Sequence, residues 1–139
     1  MKRFLFIINA SPYGEERFLS AVRLALMLTD PEQEPVALQV FLMSDAVVAG
    51  LAGQETGGTA QNLGVMLAEL VEAGAEVRLC RTCLASRGLL DAQFVLLSLP
   101  GAAACLNSAH AVAATRSAWA VSTANLCMSA FTVAVRRSV

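Results

Sequence analysis

Residues 4–8, Phe-Leu-Phe-Ile-Ile, are a continuous apolar run directly after a basic start. Such a run predicts a strand covered on both faces. Pro12 and Gly14, inside "NASPYGEE", end it. Glu15 and Glu16 suit the positive end of a helix dipole. Phe18, Val22, Ala25 and Leu26 then recur on one helical face, with Leu19 beside them. "TDPEQEP" closes that helix, and residues 36–43 predict a second strand, partly alternating through Gln39. A strand, a helix and a strand in about forty residues make a βαβ unit, which implies parallel pairing.

The pattern continues in the same sense. Ser44 and Asp45 are suited to cap a short helix. Gly57 and Gly58 predict a loop. Leu63, Met66, Leu67, Leu70 and Val71 form a stripe at three- and four-residue steps, with Glu69 and Glu72 off it. Gly74 fits the position just past a helix end. Residues 77–80 predict a short third strand and 94–99 a fourth. The architecture expected is a three-layer α/β/α sandwich with a mostly parallel sheet, formed by residues 1–139 as one domain. In such sheets ligands sit beyond the carboxyl ends of the strands. Those ends are residues 9–14, 44–45 and 80–83, which a parallel sheet brings to one edge.

Charge changes this picture in one respect. All eleven acidic residues lie between Glu15 and Asp91, and beyond Ala92 the only charges are Arg116, Arg136 and Arg137, plus His110. The net charge of −1 gives no global attraction to nucleic acid or an anionic membrane. Residues 117–135 carry no charge, yet six of the nineteen are Ser, Thr or Asn. That falls short of the predominantly apolar stretch a spanning helix needs, so no membrane segment is expected. The run at residues 4–8 is also shorter than the apolar core of a secretory signal. A cytoplasmic setting follows as the expectation, with the four cysteines reduced.

The chemistry-bearing stretch is "EVRLCRTCLASRGL", where Cys80 and Cys83 stand three apart among Arg78, Arg81 and Arg87. A closed zinc site needs four ligands, and Cys105, His110 and Cys127 form no second close pair, so no metal is expected. A dithiol–disulfide pair at a helix start is one reading. A nucleophilic thiolate, favoured by a helix N-terminus and nearby cations, is another. Two buried thiols acting as small hydrophobes is a third. Asp45 by itself reads as a cap, Tyr13 and Gly14 as turn residues, and Trp119, His110, Cys105 and Cys127 as packing. Neither phosphate-loop pattern occurs, and no cofactor is expected.

Three stretches taken together, "NASPYGEE", "FLMSDAVVAGLAGQ" and "VRLCRTCLASRGL", resemble the DsrE/DsrF-like family, and within it the YchN-like branch. The resemblance covers residues 2–91, with the three stretches in order at the predicted strand ends. It implies a homotrimer or homohexamer and a cytoplasmic sulfur-relay role with protein sulfur donors and acceptors. It implies that a cysteine after the third strand receives a persulfide. That cysteine precedes an Arg-Gly pair, as Cys80 precedes Arg87 and Gly88, and Cys83 matches the second cysteine of the branch's C-x-T-C pattern. On this reading Cys80 is the acceptor, Cys83 an auxiliary thiol, and Tyr13, Gly14, Asp45, Arg81 and Arg87 support or line the site. Cys80 is expected to be ionised, reachable and close to guanidinium charge. A non-catalytic oligomeric binding module and a thiol–disulfide oxidoreductase are the alternatives.

Beyond about Phe94 the resemblance stops, and the acid-free tail departs from the charged closing helix that it implies. A shifted reading frame near this point is the hypothesis the break suggests. Translation of the underlying nucleotide sequence in the other frames is expected to reveal a strand and an acid-bearing helix. No family-like ending in either frame removes the idea.

Overall fold

The computed structural model describes residues 1–55, 62–95, 106–107 and 131–136. Strand β1, Lys2–Ile8, leads into helix α1, Glu16–Leu28, and strand β2, Val36–Leu42. A 3-10 helical segment, Ser44–Gly50, follows. Helix α2, Leu63–Glu72, strand β3, Glu76–Cys80, and helix α3, Arg81–Ala85, come next. Two further strands are β4, Leu106–Asn107, and β5, Phe131–Arg136.

The strands form one sheet in the order β4-β3-β2-β1-β5. β1, β2, β3 and β4 are parallel neighbours, and β5 runs antiparallel along β1. The protein is therefore an α/β fold with a mostly parallel sheet. Parallel crossovers are right-handed, and both step the same way across the sheet, from β1 to β2 and from β2 to β3. They put α1 and α2 side by side on one face. Gly57, Gly58, Cys105, His110, Trp119 and Cys127 lie outside the described residues.

The apolar stripes read from the sequence bury for the most part, with Leu26 and Val71 half-buried at their edges. Phe18, Ala21, Val22 and Ala25 of α1 are buried. So are Leu63, Met66, Leu67 and Leu70 of α2. They meet Phe6, Ile8, Leu38, Val40 and Leu42 from the sheet in one core. Each such side chain contributes roughly 1.5–3 kcal/mol by leaving water. Helix α2 ends as its glycine predicts. Gly74 has φ +88, its N–H donates to the Val71 carbonyl, and the Ala75 N–H reaches back to Leu70 at 2.9 Å. This pair of bonds caps the carbonyls that a helix end leaves unpaired.

Two local expectations are corrected. The strand expected at residues 94–99 does not begin at Phe94, which makes an isolated antiparallel bridge to Leu51. Phe94 is apolar because it packs at 2% exposure beneath the 3-10 segment, where Gly50 leaves room for it and for Leu79. Residues 96–99 lie outside the described residues. Ser44 and Asp45 do not cap the 3-10 segment, which starts after Met43 with no side-chain cap bond. Their side chains and backbone serve the neighbouring loop instead. Of residues 117–135, only 131–135 are described, and they belong to a strand.

Leu67 lies fully buried where α2 faces the sheet. Leu67→Ala is expected to lower the unfolding free energy by about 2–5 kcal/mol in a urea titration, the usual cost of a leucine-sized cavity. A loss below about 1 kcal/mol, the range of non-core substitutions, would show that α2 is not held against the sheet as described.

Candidate functional site

Parallel pairing brings the ends of β1, β2 and β3 to one edge. β2 lies directly beside β3, with Leu42 opposite Leu79. The chain leaving β2 therefore runs next to the chain leaving β3, about 5 Å away. Cys80 is the last residue of β3 and the N-cap of α3. Cys83 falls one helical turn later, so the two side chains sit on the same face of that turn.

Ser44 completes this arrangement. Its φ is +54, in the left-handed region that a residue with a side chain enters at a cost of about 1–2 kcal/mol. Its N–H donates to Cys83 Sγ at 3.1 Å. A strained residue whose amide is aimed at a sulfur is the kind of feature that concentrates at functional sites.

Arg87 ties the same two loops together. Its Nη2 meets Asp45 Oδ1 at 2.6 Å and its Nε meets the same oxygen at 3.3 Å. Its Nη1 donates to the Cys83 carbonyl at 3.0 Å and to Ser86 Oγ at 3.3 Å. One guanidinium thus holds the start of the 3-10 segment, through Asp45, and the turn of α3 that carries Cys83. The Asp45 side chain is 60% exposed, so the ion pair itself is worth no more than about 1 kcal/mol. Its value is positional.

The two thiols differ. Cys80 is buried at 7% exposure, whereas Cys83 is half-buried. Burial pushes the Cys80 thiol above its ordinary range, and its hydrogen bond and charge repulsion with Cys83 add to the rise. The Thr82 and Cys83 amides at the start of α3 pull the other way and do not prevail. The expectation of an ionised, reachable Cys80 is therefore corrected: desolvation outweighs the amides, and the thiol is neutral near pH 7. No guanidinium offsets that rise in the Cys80 thiol. Arg78 is bound by Glu76, Arg87 by Asp45, and Arg81 is exposed on α3.

Tyr13 and Gly14 lie in the loop that follows β1, a strand that stands two places from β3 in the sheet. The Tyr13 hydroxyl donates to Gln54 Oε1, while Gln54 Nε2 donates to the carbonyls of Ala49 at 3.0 Å and Leu51 at 2.7 Å. Burial raises the Tyr13 pKa. Gly14 adopts φ +86 in open surroundings, so its requirement is conformational. Tyr13 thus braces the far end of the 3-10 segment, and Asp45, Arg87, Cys80 and Cys83 gather at its beginning.

Ser44 was read from sequence only as a helix cap, and Gln54 and Asn62 were not singled out. Asn62 had a readable signal, a capping residue just before an apolar stripe. Its side chain accepts the Val65 N–H at 3.2 Å and donates to the Gln54 carbonyl at 2.9 Å. Ser44 and Gln54 had none, because their roles depend on a partner loop. Among the described residues no three His, Cys, Asp or Glu side chains gather as a metal site would require. No helix among them is long and apolar enough to cross a membrane.

A parallel α/β domain carrying a cysteine pair at the end of its third strand defines the class. The model of the DsrE/DsrF-like family matches residues 2–129, and the chain belongs to that family. It is 40% identical over 89 residues to protein YchN of Escherichia coli strain K12, which covers 64% of this chain and 74% of YchN. It is 31% identical over 93 residues to uncharacterized protein MJ0989 of Methanocaldococcus jannaschii, covering 67% of this chain and 78% of that one. The crystal structure of the E. coli ychN protein superposes with a TM-score of 0.63 at 34% identity, over 79% of this chain and 86% of that chain.

Removal of the clasp tests its positional role. Arg87→Ala is expected to cost no more than about 1 kcal/mol of stability, as for an exposed pair, yet to speed hydrogen exchange at the Ser44 amide. Unchanged exchange at Ser44 would mean that Arg87 does not hold Cys83 in place.

Proposed function

We propose that this protein is a cytoplasmic sulfur carrier that accepts a persulfide sulfur on the Cys80–Cys83 pair and passes it to an acceptor protein. The observation that carries this reading is the pair itself: two reduced thiols in mutual contact, at the ligand-bearing edge of a parallel sheet, with the Ser44 amide turned onto one of them. Family membership supports it.

The chemistry is thiol exchange with one sulfur more. A thiolate attacks the terminal sulfur of a donor persulfide, the donor S–S bond breaks, and the donor thiolate leaves. A backbone N–H on the attacking sulfur stabilises the anion on either side of that step. Delivery to an acceptor thiol runs the same exchange outward and returns both cysteines reduced. No metal or cofactor takes part.

The functional unit on this reading is a homotrimer or homohexamer of single-domain subunits. Leu24 and Met27 of α1 and Val65 of α2 are exposed, which suits contact with a second copy. The second reading is a thiol–disulfide oxidoreductase, favoured by the N-cap and third-position placement of the two cysteines on α3.

Native mass spectrometry after incubation with a persulfide donor reads both aspects. The expected result is a symmetric oligomer whose subunits each gain one sulfur, with no gain after joint Cys80→Ser and Cys83→Ser substitution. A loss of two hydrogens mapped to a Cys80–Cys83 bridge, with no added sulfur, would favour the oxidoreductase. No change in mass would leave an oligomeric binding module.

A further inference from the structure

Beyond sulfur transfer, we infer that the Cys80–Cys83 pair is a binding site for a soft monovalent metal ion, Cu(I), held between the two sulfurs. The inference stands whether or not the pair also carries sulfur.

Ligand number and type come first. Among the described residues no third His, Cys, Asp or Glu joins the two thiols. Structural Zn(II) takes four ligands, and Ca(II) or Mg(II) takes oxygens. Cu(I) is selected by thiolates and is satisfied by two of them. Asp45, the carboxylate brought to this edge, is tied to Arg87 at 2.6 Å, which keeps a hard ligand off the sulfurs. Cys80 is the N-cap of α3 and Cys83 its third residue, so both sulfurs sit on one side of a single turn and touch each other. One chain therefore supplies both ligands from a preformed turn.

The surroundings of the two sulfurs are those of an outer shell, the hydrogen-bond donors that orient metal ligands. The Thr82 and Cys83 amides face the Cys80 sulfur. The Ser44 amide donates to Cys83 Sγ at 3.1 Å, from a residue held at φ +54. Arg87 donates to the Cys83 carbonyl at 3.0 Å and fixes the backbone that carries the second sulfur. These donors belong to the backbone, so they are aimed before the metal arrives. Leu79 and Leu84, both sealed from water, share the core cluster with Cys80, while half-buried Cys83 gives the ion its way in.

The charge balance suits that apolar cover. Two thiols release two protons, Cu(I) brings one positive charge, and the complex carries a single negative charge that the amides share. No electron is transferred. The metal displaces the proton that burial keeps on Cys80, so binding strengthens as pH rises.

Anaerobic titration of the reduced full chain with Cu(I) against the chelator bicinchoninate tests the site. The expected result is one Cu(I) per chain, with an affinity that rises from about pH 6 to about pH 8 as thiol protons leave more readily. Cys80→Ser and Cys83→Ser are each expected to weaken binding by more than about 100-fold, the upper cost of losing an outer-shell contact alone. X-ray absorption at the copper edge of the wild-type complex is expected to show two sulfur neighbours, a readout that does not depend on how well either variant folds. Failure to compete with bicinchoninate, retained affinity in either variant, one Cu(I) shared by two chains, or a nitrogen or oxygen ligand overturns the site. Zn(II) held as tightly as Cu(I) overturns it as well, because two thiolates alone do not complete a zinc site.

Discussion

Parallel pairing of β2 with β3 is the constraint on which the site rests. With Leu42 opposite Leu79, both strands end at the same level of the sheet. The residues that follow each strand are then neighbours, although 39 positions separate Ser44 from Cys83. A slip of one residue along either strand would turn its buried side chains to the other face. Val40, Leu42, Val77 and Leu79, all nearly sealed from water, hold the register against that slip. The energy that fixes the cysteine site is thus core burial in the strands that lead into it.

That edge divides labour along its length. At the β1 end, Tyr13, Gln54 and Asn62 form a hydrogen-bonded brace around the end of the 3-10 segment. At the β3 end, Asp45 and Arg87 clasp its beginning to α3. The segment is held at both ends, and its first residue bears the strained φ. Each clasp is weak alone, since its polar groups exchange protein partners for water at small net gain. Together they fix the direction of one N–H, which a side-chain donor with free rotamers would hold less firmly.

Cys80 shows why proximity to cations in sequence is a poor guide to ionisation. Arg78 follows the strand face but is taken by Glu76, and Arg87 reaches across to Asp45. A helix of five residues supplies amides that favour a Cys80 anion, yet loss of water outweighs them. The term that decided the outcome, burial, depends on what packs over β3 and has no counterpart in the motif itself.

Whereas the strands at 106–107 and 131–136 were not, the first three strands and the two helices between them, the buried faces of α1 and α2, the glycine stop at Gly74 and the placement of Cys80 and Cys83 at a strand end were legible in the chain. They follow from local periodicity and turn chemistry, which act between residues a few positions apart. Phe94 was misread because an apolar residue beneath a loop and one in a strand leave the same mark. Asp45 was misread because an acid after a strand suits a cap until a partner arginine is brought to it. The Ser44 amide carries no side-chain signature at all. The sequence by itself determined the first three strands, the two helices between them and where the cysteine pair lies. Tertiary structure alone decided which sulfur is covered and which receives the amide, because solvent exposure and the direction of a backbone dipole are set by neighbours distant along the chain.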